Sequence, residues 1–131
     1  MLDTNVLVSG ILSPNGPPAA ILRAVLTERV TLCFDERILS EYRDVLTRGK
    51  FGFEPALIDE LLNFIEATGV PGLAEPLDLR LPDPTDAMFI EVCLAAGANY
   101  LITGNARHFP ARERRGIDVE SPRAFLARIR G

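Results

Sequence analysis

Short apolar runs alternate with stretches of helical period along most of this chain, and no other feature restricts its fold as much. Residues 30–34, 100–103 and 117–119 read as short strands. Residues 19–26 carry Ile21, Leu22, Val25 and Leu26 at helical spacing, behind Pro17-Pro18, which suits a helix start. Asp35 is placed to cap a helix over 35–46, and Pro55 opens another to Thr68. Asp83, with Pro84 behind it, begins a helix to Ala96 that Gly97 ends. Ser121-Pro122 starts a last one over 123–130. Between these, 70–80 is broken by Pro and Gly, and 77–81 is a weaker strand candidate. Strands alternating with helices predict an α/β fold, with a central parallel sheet flanked by helices in three layers, α/β/α.

One domain is expected for 131 residues, 47% of them hydrophobic, so residues 1–131 are read as a single unit. Only Met1 and Leu2 precede Asp3. The first strand is therefore either abbreviated or preceded by natural residues upstream of Met1, since strands commonly have about five residues. Asp3 and Asn5 stand where a basic leader region would be, and no apolar stretch approaches the roughly 20 residues of a membrane span. Cys33 and Cys93 lie in apolar runs and read as reduced, buried residues of a cytoplasmic protein.

The net charge of −4 gives no overall basic footprint for nucleic acid. Arginines nevertheless crowd the last quarter: Arg107, Arg112, Arg114, Arg115, Arg123, Arg128 and Arg130. Either they form a solvated face or they make a local phosphate-binding rim, for which Arg107 and Arg112 are candidates.

A parallel sheet collects the residues at its carboxyl ends along one edge, where ligands bind. Asp3 follows the first apolar stub, Asp83 and Asp86 open a helix, and Thr103-Gly104-Asn105 follows a strand; Glu41 lies in a helix near its apolar stripe. Each has an ordinary explanation. Asp3 suits an N-cap, Asp83 and Asp86 suit a capping arrangement at a positive helix end, Glu41 can pair with Arg37, and Asn105 suits a turn. Gathered at one edge they repel, by roughly 4 kcal/mol per pair at ~4 Å and an effective dielectric of ~20, and a cation is the natural remedy. His108 is the lone histidine and reads as a structural or surface residue, so no Ser/His/Asp or Cys/His set can be assembled.

The order and wording of these motifs resemble PIN-domain nucleases. The opening Leu2-Asp3-Thr4-Asn5-Val6-Leu7-Val8-Ser9 resembles the start of that family, Ser40-Glu41-Tyr42 its second acidic position, and residues 86–105 its third acid and following strand. Arg107-His108-Phe109 and residues 121–126 resemble its ending, and the branch most alike is the VapC-like toxins of bacterial toxin–antitoxin systems. The resemblance implies a divalent-metal-dependent endoribonuclease using one or two Mg²⁺ or Mn²⁺ ions. Asp3, Glu41 and Asp86 would be its acidic triad, with Asn5, Asp83, Thr103 and Asn105 in support. Asn105 takes a place often held by a fourth Asp. An RNA substrate, a cognate antitoxin and a homodimer follow from the same likeness. The alternative is a catalytically impaired PIN fold serving as a protein- or RNA-binding scaffold, which Asn105 favours. A phosphoryl-accepting receiver domain fits poorly, because the only lysine, Lys50, lies in a loop after a helix.

Overall fold

Met1 and Leu2 are all the strand that precedes the first acid, yet they are bonded as strand. A computed structural model of the protein describes residues 1–130. In it Leu2 makes an isolated parallel bridge with Ile102. The Ile102 N–H donates to the Met1 carbonyl and the Asp3 N–H to the Ile102 carbonyl, both at 2.9 Å. The buried Tyr42 hydroxyl adds a bond to the Leu2 carbonyl. The chain then turns at once into α1 (Thr4–Leu12), followed by α2 (Pro17–Leu26), β1 (Cys33–Phe34), α3 (Glu36–Leu46), α4 (Pro55–Thr68), β2 (Val70–Pro71), α5 (Ala87–Ala96), β3 (Tyr100–Ile102), β4 (Asp118–Glu120) and α6 (Pro122–Arg130).

Every pairing is parallel, as the alternation predicts: β1 with β2, and β3 with β4. The paired strands form two separate two-stranded sheets among the described residues, with only Leu2 beside β3. The continuous central sheet expected from the sequence is thus reduced to short pieces in a helix-rich α/β chain. The candidate strand at 77–81 does not form. The Leu77 N–H is taken instead by the Glu91 carboxylate at 2.8 Å, so a side chain replaces a ladder partner.

Local chemistry explains the boundaries. The Asp35 carboxylate accepts the Ile38 N–H at 3.0 Å and starts α3. The Ser121 hydroxyl accepts the Ala124 N–H at 3.1 Å and starts α6. Gly97 ends α5 with φ +72, a left-handed conformation that glycine adopts freely. Gly69 sits where α4 turns into β2. A Cβ there would meet the Ile65 and Leu32 carbonyl oxygens at 2.6 and 2.7 Å, so no larger residue fits.

α5 is the most enclosed helix. Phe89, Ile90, Glu91, Val92 and Cys93 are buried in succession, as expected of a helix covered on several sides. Phe89 meets Phe109 edge-on at 6.4 Å. The core is one cluster that runs from Met1 and Leu2 through α3 and α5 to Phe125. Cys33 and Cys93 are free and buried within it, and hydrogen bonding to Cys33 together with burial pushes the Cys93 thiol up. No helix among the described residues is long and apolar enough to cross a membrane.

Candidate active site

Asp3 occupies the N-cap position of α1 but makes no side-chain cap bond. Its carboxylate is buried, and Oδ2 accepts the Thr103 hydroxyl at 2.7 Å. Thr103 is itself only 1% exposed, and its oxygen also accepts the Asn105 N–H at 3.0 Å. Two strand ends separated by a hundred residues in sequence are thereby locked together, the Asp3 stub and the end of β3. This bond orients Asp3 and leaves Oδ1 for another partner.

Glu41 is half-buried on α3. Its Oε2 accepts the Thr4 hydroxyl at 3.0 Å. The pairing with Arg37 that the sequence allows is not made, because Arg37 binds Asp35 at 2.8 Å and Glu91 at 2.9 Å. Tyr42, next in sequence, is fully buried against Leu2, so α3 fixes both the stub and the acid beside it.

Asp83 and Asp86 differ sharply. Asp83 accepts the Thr85 N–H at 3.0 Å and the Thr85 hydroxyl at 2.8 Å, capping a 3₁₀ turn over Pro84–Asp86. Those bonds hold its carboxyl below the ordinary value, and the cap reading accounts for it. Asp86 makes no cap bond. Burial raises its pKa from 3.8 to about 6, and Asp3, Asp83 and Glu41 push in the same direction while His108 opposes them. A carboxyl raised by burial and by neighbouring acids belongs to an acidic cluster rather than to a solvated helix end.

His108 was read from sequence as a bystander, yet it stands at this cluster. Its Nδ1 lies 3.7 Å from Asp86 Oδ2, and the Asn105 amide nitrogen lies 3.1 Å from its Nε2. With that amide donating, Nε2 is the acceptor and Nδ1 carries the proton that faces Asp86. Phe109, fully buried against Phe89, anchors the 3₁₀ turn Ala106–His108 and brings the ring to the start of α5. Thr4, which the sequence did not single out, also stands at the site through its bond to Glu41. Its place directly after Asp3 was the only signal for it. Glu91 was missed as well, but its bonds to Arg37 and Leu77 give it a structural task.

The remaining candidates are peripheral. Asn5 is exposed on α1, and Arg107 is exposed in the turn beside His108. Arg112 is exposed, with its Nε 3.7 Å from Glu113.

Asp3, Glu41, Asp86, Thr103, Asn105 and His108 thus meet at one edge. Among the described residues no three His, Cys, Asp or Glu side chains form a ready-made cage for one ion. Asp3, Glu41, Asp86 and Thr103 offer only oxygens, and Asp86 carries an excess of negative neighbours that His108 offsets in part. That set fits a hard cation such as Mg²⁺, which takes one or two carboxylates and keeps several waters.

Acids gathered at the carboxyl edge of a parallel α/β chain mark a candidate site for a cation or a ligand. The family model described as PIN domain matches residues 1–107, and the chain belongs to that family. PIN domains are generally nucleases. No curated protein and no solved structure gives a match.

Proposed function

We propose that the protein is a divalent-metal-dependent endoribonuclease hydrolysing RNA phosphodiester bonds. One observation carries the proposal: within a PIN domain, Asp86 is raised to about 6 by burial together with Asp3, Asp83 and Glu41. Asp3 Oδ1 and the Asp86 carboxylate would hold Mg²⁺ or Mn²⁺. When bound, such an ion supplies an acidified water and neutralises charge on the phosphodiester. Thr103 keeps Asp3 turned toward the site. Thr4 fixes Glu41 Oε2, which leaves Oε1 to accept a hydrogen bond from the attacking water and aim it. His108 presents its Nδ1 toward the Asp86 carboxylate at 3.7 Å. Asn105, neutral where a fourth acid often stands, favours one ion over two. It is also the support for the competing reading, an impaired PIN scaffold. What supports a three-layer α/β/α arrangement is that every strand pairing is parallel.

The role proposed for this activity is that of a cytoplasmic toxin held by a cognate antitoxin, working as a homodimer. Its support is the likeness of the sequence motifs, together with an apolar groove of about 370 Å³ between α1, α2 and α4. Ile11, Leu26, Leu57 and Phe64 line that groove and suit an apolar partner segment.

The test is cleavage of single-stranded RNA with Mn²⁺, with EDTA, and with Asp3→Asn and Asp86→Asn. Activity should need the ion and be lost in both variants. Full activity in excess EDTA would overturn the mechanism.

A further inference from the structure

The surface between α2 and α6 opens into a cavity of about 440 Å³ lined by Arg23, Arg123 and Arg130, with Asn15 at one end. No carboxylate is among its lining residues. This is unexpected on a chain of net charge −4. The nearest acid in sequence, Glu120, is already bound by Arg128 through two bonds of 2.7 and 3.0 Å. Among the described residues, Arg23 spends one nitrogen on the Pro14 carbonyl at 3.0 Å, and no carboxylate pairs with Arg23 or Arg123.

The cavity follows from helical spacing. Arg123, Ala127 and Arg130 stand at i, i+4 and i+7 and share one stripe of α6. Ala20 and Arg23 make the facing stripe of α2. Short Ala20 and Ala127 line the same cavity as the long Arg23, Arg123 and Arg130. Arg123 and Arg130 are separated by about 10 Å along the helix axis. Cations at both ends of so long a groove suit an extended polyanion better than one compact anion.

The groove is also connected to the acidic edge. The Thr103 N–H donates to the Glu120 carbonyl at 3.0 Å, so α6 starts beside the residue that holds Asp3 and leads away from it. α1 spans about 14 Å from the same edge, and the turn after it delivers Asn15 to the groove. Arg123 and Arg130 lie beyond residues 1–107, the part matched by the family.

We infer that the α2–α6 groove binds backbone phosphates of single-stranded RNA some nucleotides away from the scissile bond. This rests on the ribonuclease reading for its substrate. Guanidinium groups hold phosphate oxygens by charge-assisted paired bonds, and such contacts position a strand without reading its sequence.

The experiment measures binding of labelled single-stranded RNAs of four and twelve nucleotides in EDTA, where no metal-dependent cleavage occurs, across a salt series. Wild type is compared with Arg123→Gln/Arg130→Gln, Arg123→Lys/Arg130→Lys and Arg48→Gln. Each single-strand phosphate contact contributes about 0.7 to the slope of log K against log salt. The double Gln variant should therefore lose about 1.4 from that slope for the longer RNA, and roughly tenfold or more in affinity at 0.1 M salt. The tetramer should change less. The Lys variant, which keeps both charges, should stay close to the wild-type slope, and Arg48→Gln should leave it unchanged.

Equal loss in Arg48→Gln, or no loss in the double Gln variant, would overturn the groove. If the double Gln variant failed to fold, Arg123→Gln and Arg130→Gln singly would decide: each should lose about 0.7 from the slope, and no loss in either would overturn the groove. Protection from melting by inorganic phosphate, with no dependence on RNA length, would assign a free anion and overturn RNA. Absence of Mn²⁺-dependent cleavage in wild type, with the length and salt effects intact, would sink the ribonuclease reading alone.

Discussion

Replacing Asp86 by Asn separates an acidic cluster from a helix cap, because the two predict opposite signs. Asp86 lies at the start of α5 without making a cap bond. Its carboxyl is raised from 3.8 to about 6, first by burial and then by Asp3 and Asp83. At full weight that rise corresponds to about 3 kcal/mol against the ionised form. Solvent still reaches the site, so screening reduces this to roughly 1–2 kcal/mol. A carboxyl whose pKa is higher in the folded chain binds its proton there first. Its unfavourable contribution is complete above about pH 6 and fades as the pH falls through 6 toward 3.8.

Metal-free Asp86→Asn should therefore be more stable than wild type at pH 7.5 by about 1–2 kcal/mol, or about 4 to 8 °C in melting temperature. The gap should close between pH 6 and 4. Magnesium at a hundred times its Kd should stabilise wild type by about 2.7 kcal/mol, and the variant much less. Calorimetric melts of both proteins at pH 7.5 and 4.5, in EDTA and in Mg²⁺, give all four quantities. If Asp86 serves only the helix dipole, the variant melts lower by up to ~1 kcal/mol, and the two proteins respond equally to Mg²⁺. That result would refute the cluster.

Two further variants probe the supports of the site. Asn105→Asp should tighten divalent binding and leave the fold intact, since Asn105 is exposed and a fourth acid joins the cluster; unchanged affinity by titration calorimetry would place residue 105 outside the ligand sphere. Tyr42→Phe should cost about 1–3 kcal/mol because the Leu2 carbonyl loses the Tyr42 hydroxyl in a buried place; an unchanged urea midpoint would show that the stub is held without it.

Local signals in the sequence located the helices well. Pro55–Thr68 is the predicted helix to the residue, and Asp35, Ser121 and Gly97 act at the ends where their chemistry placed them. Caps and helical period are written within a few residues, so they can be read locally. The strands were less legible because pairing depends on distant partners. The run 30–34 pairs only at Cys33–Phe34, the predicted 117–119 shifts to Asp118–Glu120, and 77–81 loses its strand when Glu91 captures Leu77. The acids were legible as a set because parallel topology gathers strand ends. His108 was not, since its arrival depends on Phe109 packing against Phe89, a contact that no local pattern announces.

The three central acids are not equivalent, and the difference follows from what each is bonded to. Asp3 has the Thr103 hydroxyl at 2.7 Å, and Glu41 has the Thr4 hydroxyl at 3.0 Å. Asp86 has only the His108 ring at 3.7 Å, too far for a hydrogen bond. Burial, and after it Asp3 and Asp83, raise the Asp86 carboxyl to about 6, so a proton or a cation at Asp86 relieves the cluster. Asp3 and Glu41 are tied to α1, α3 and β3 by bonds that build the fold, whereas Asp86 stands at a helix start with its carboxylate uncommitted. The edge thus keeps two carboxylates fixed in place and a third whose charge state can answer to what binds beside it.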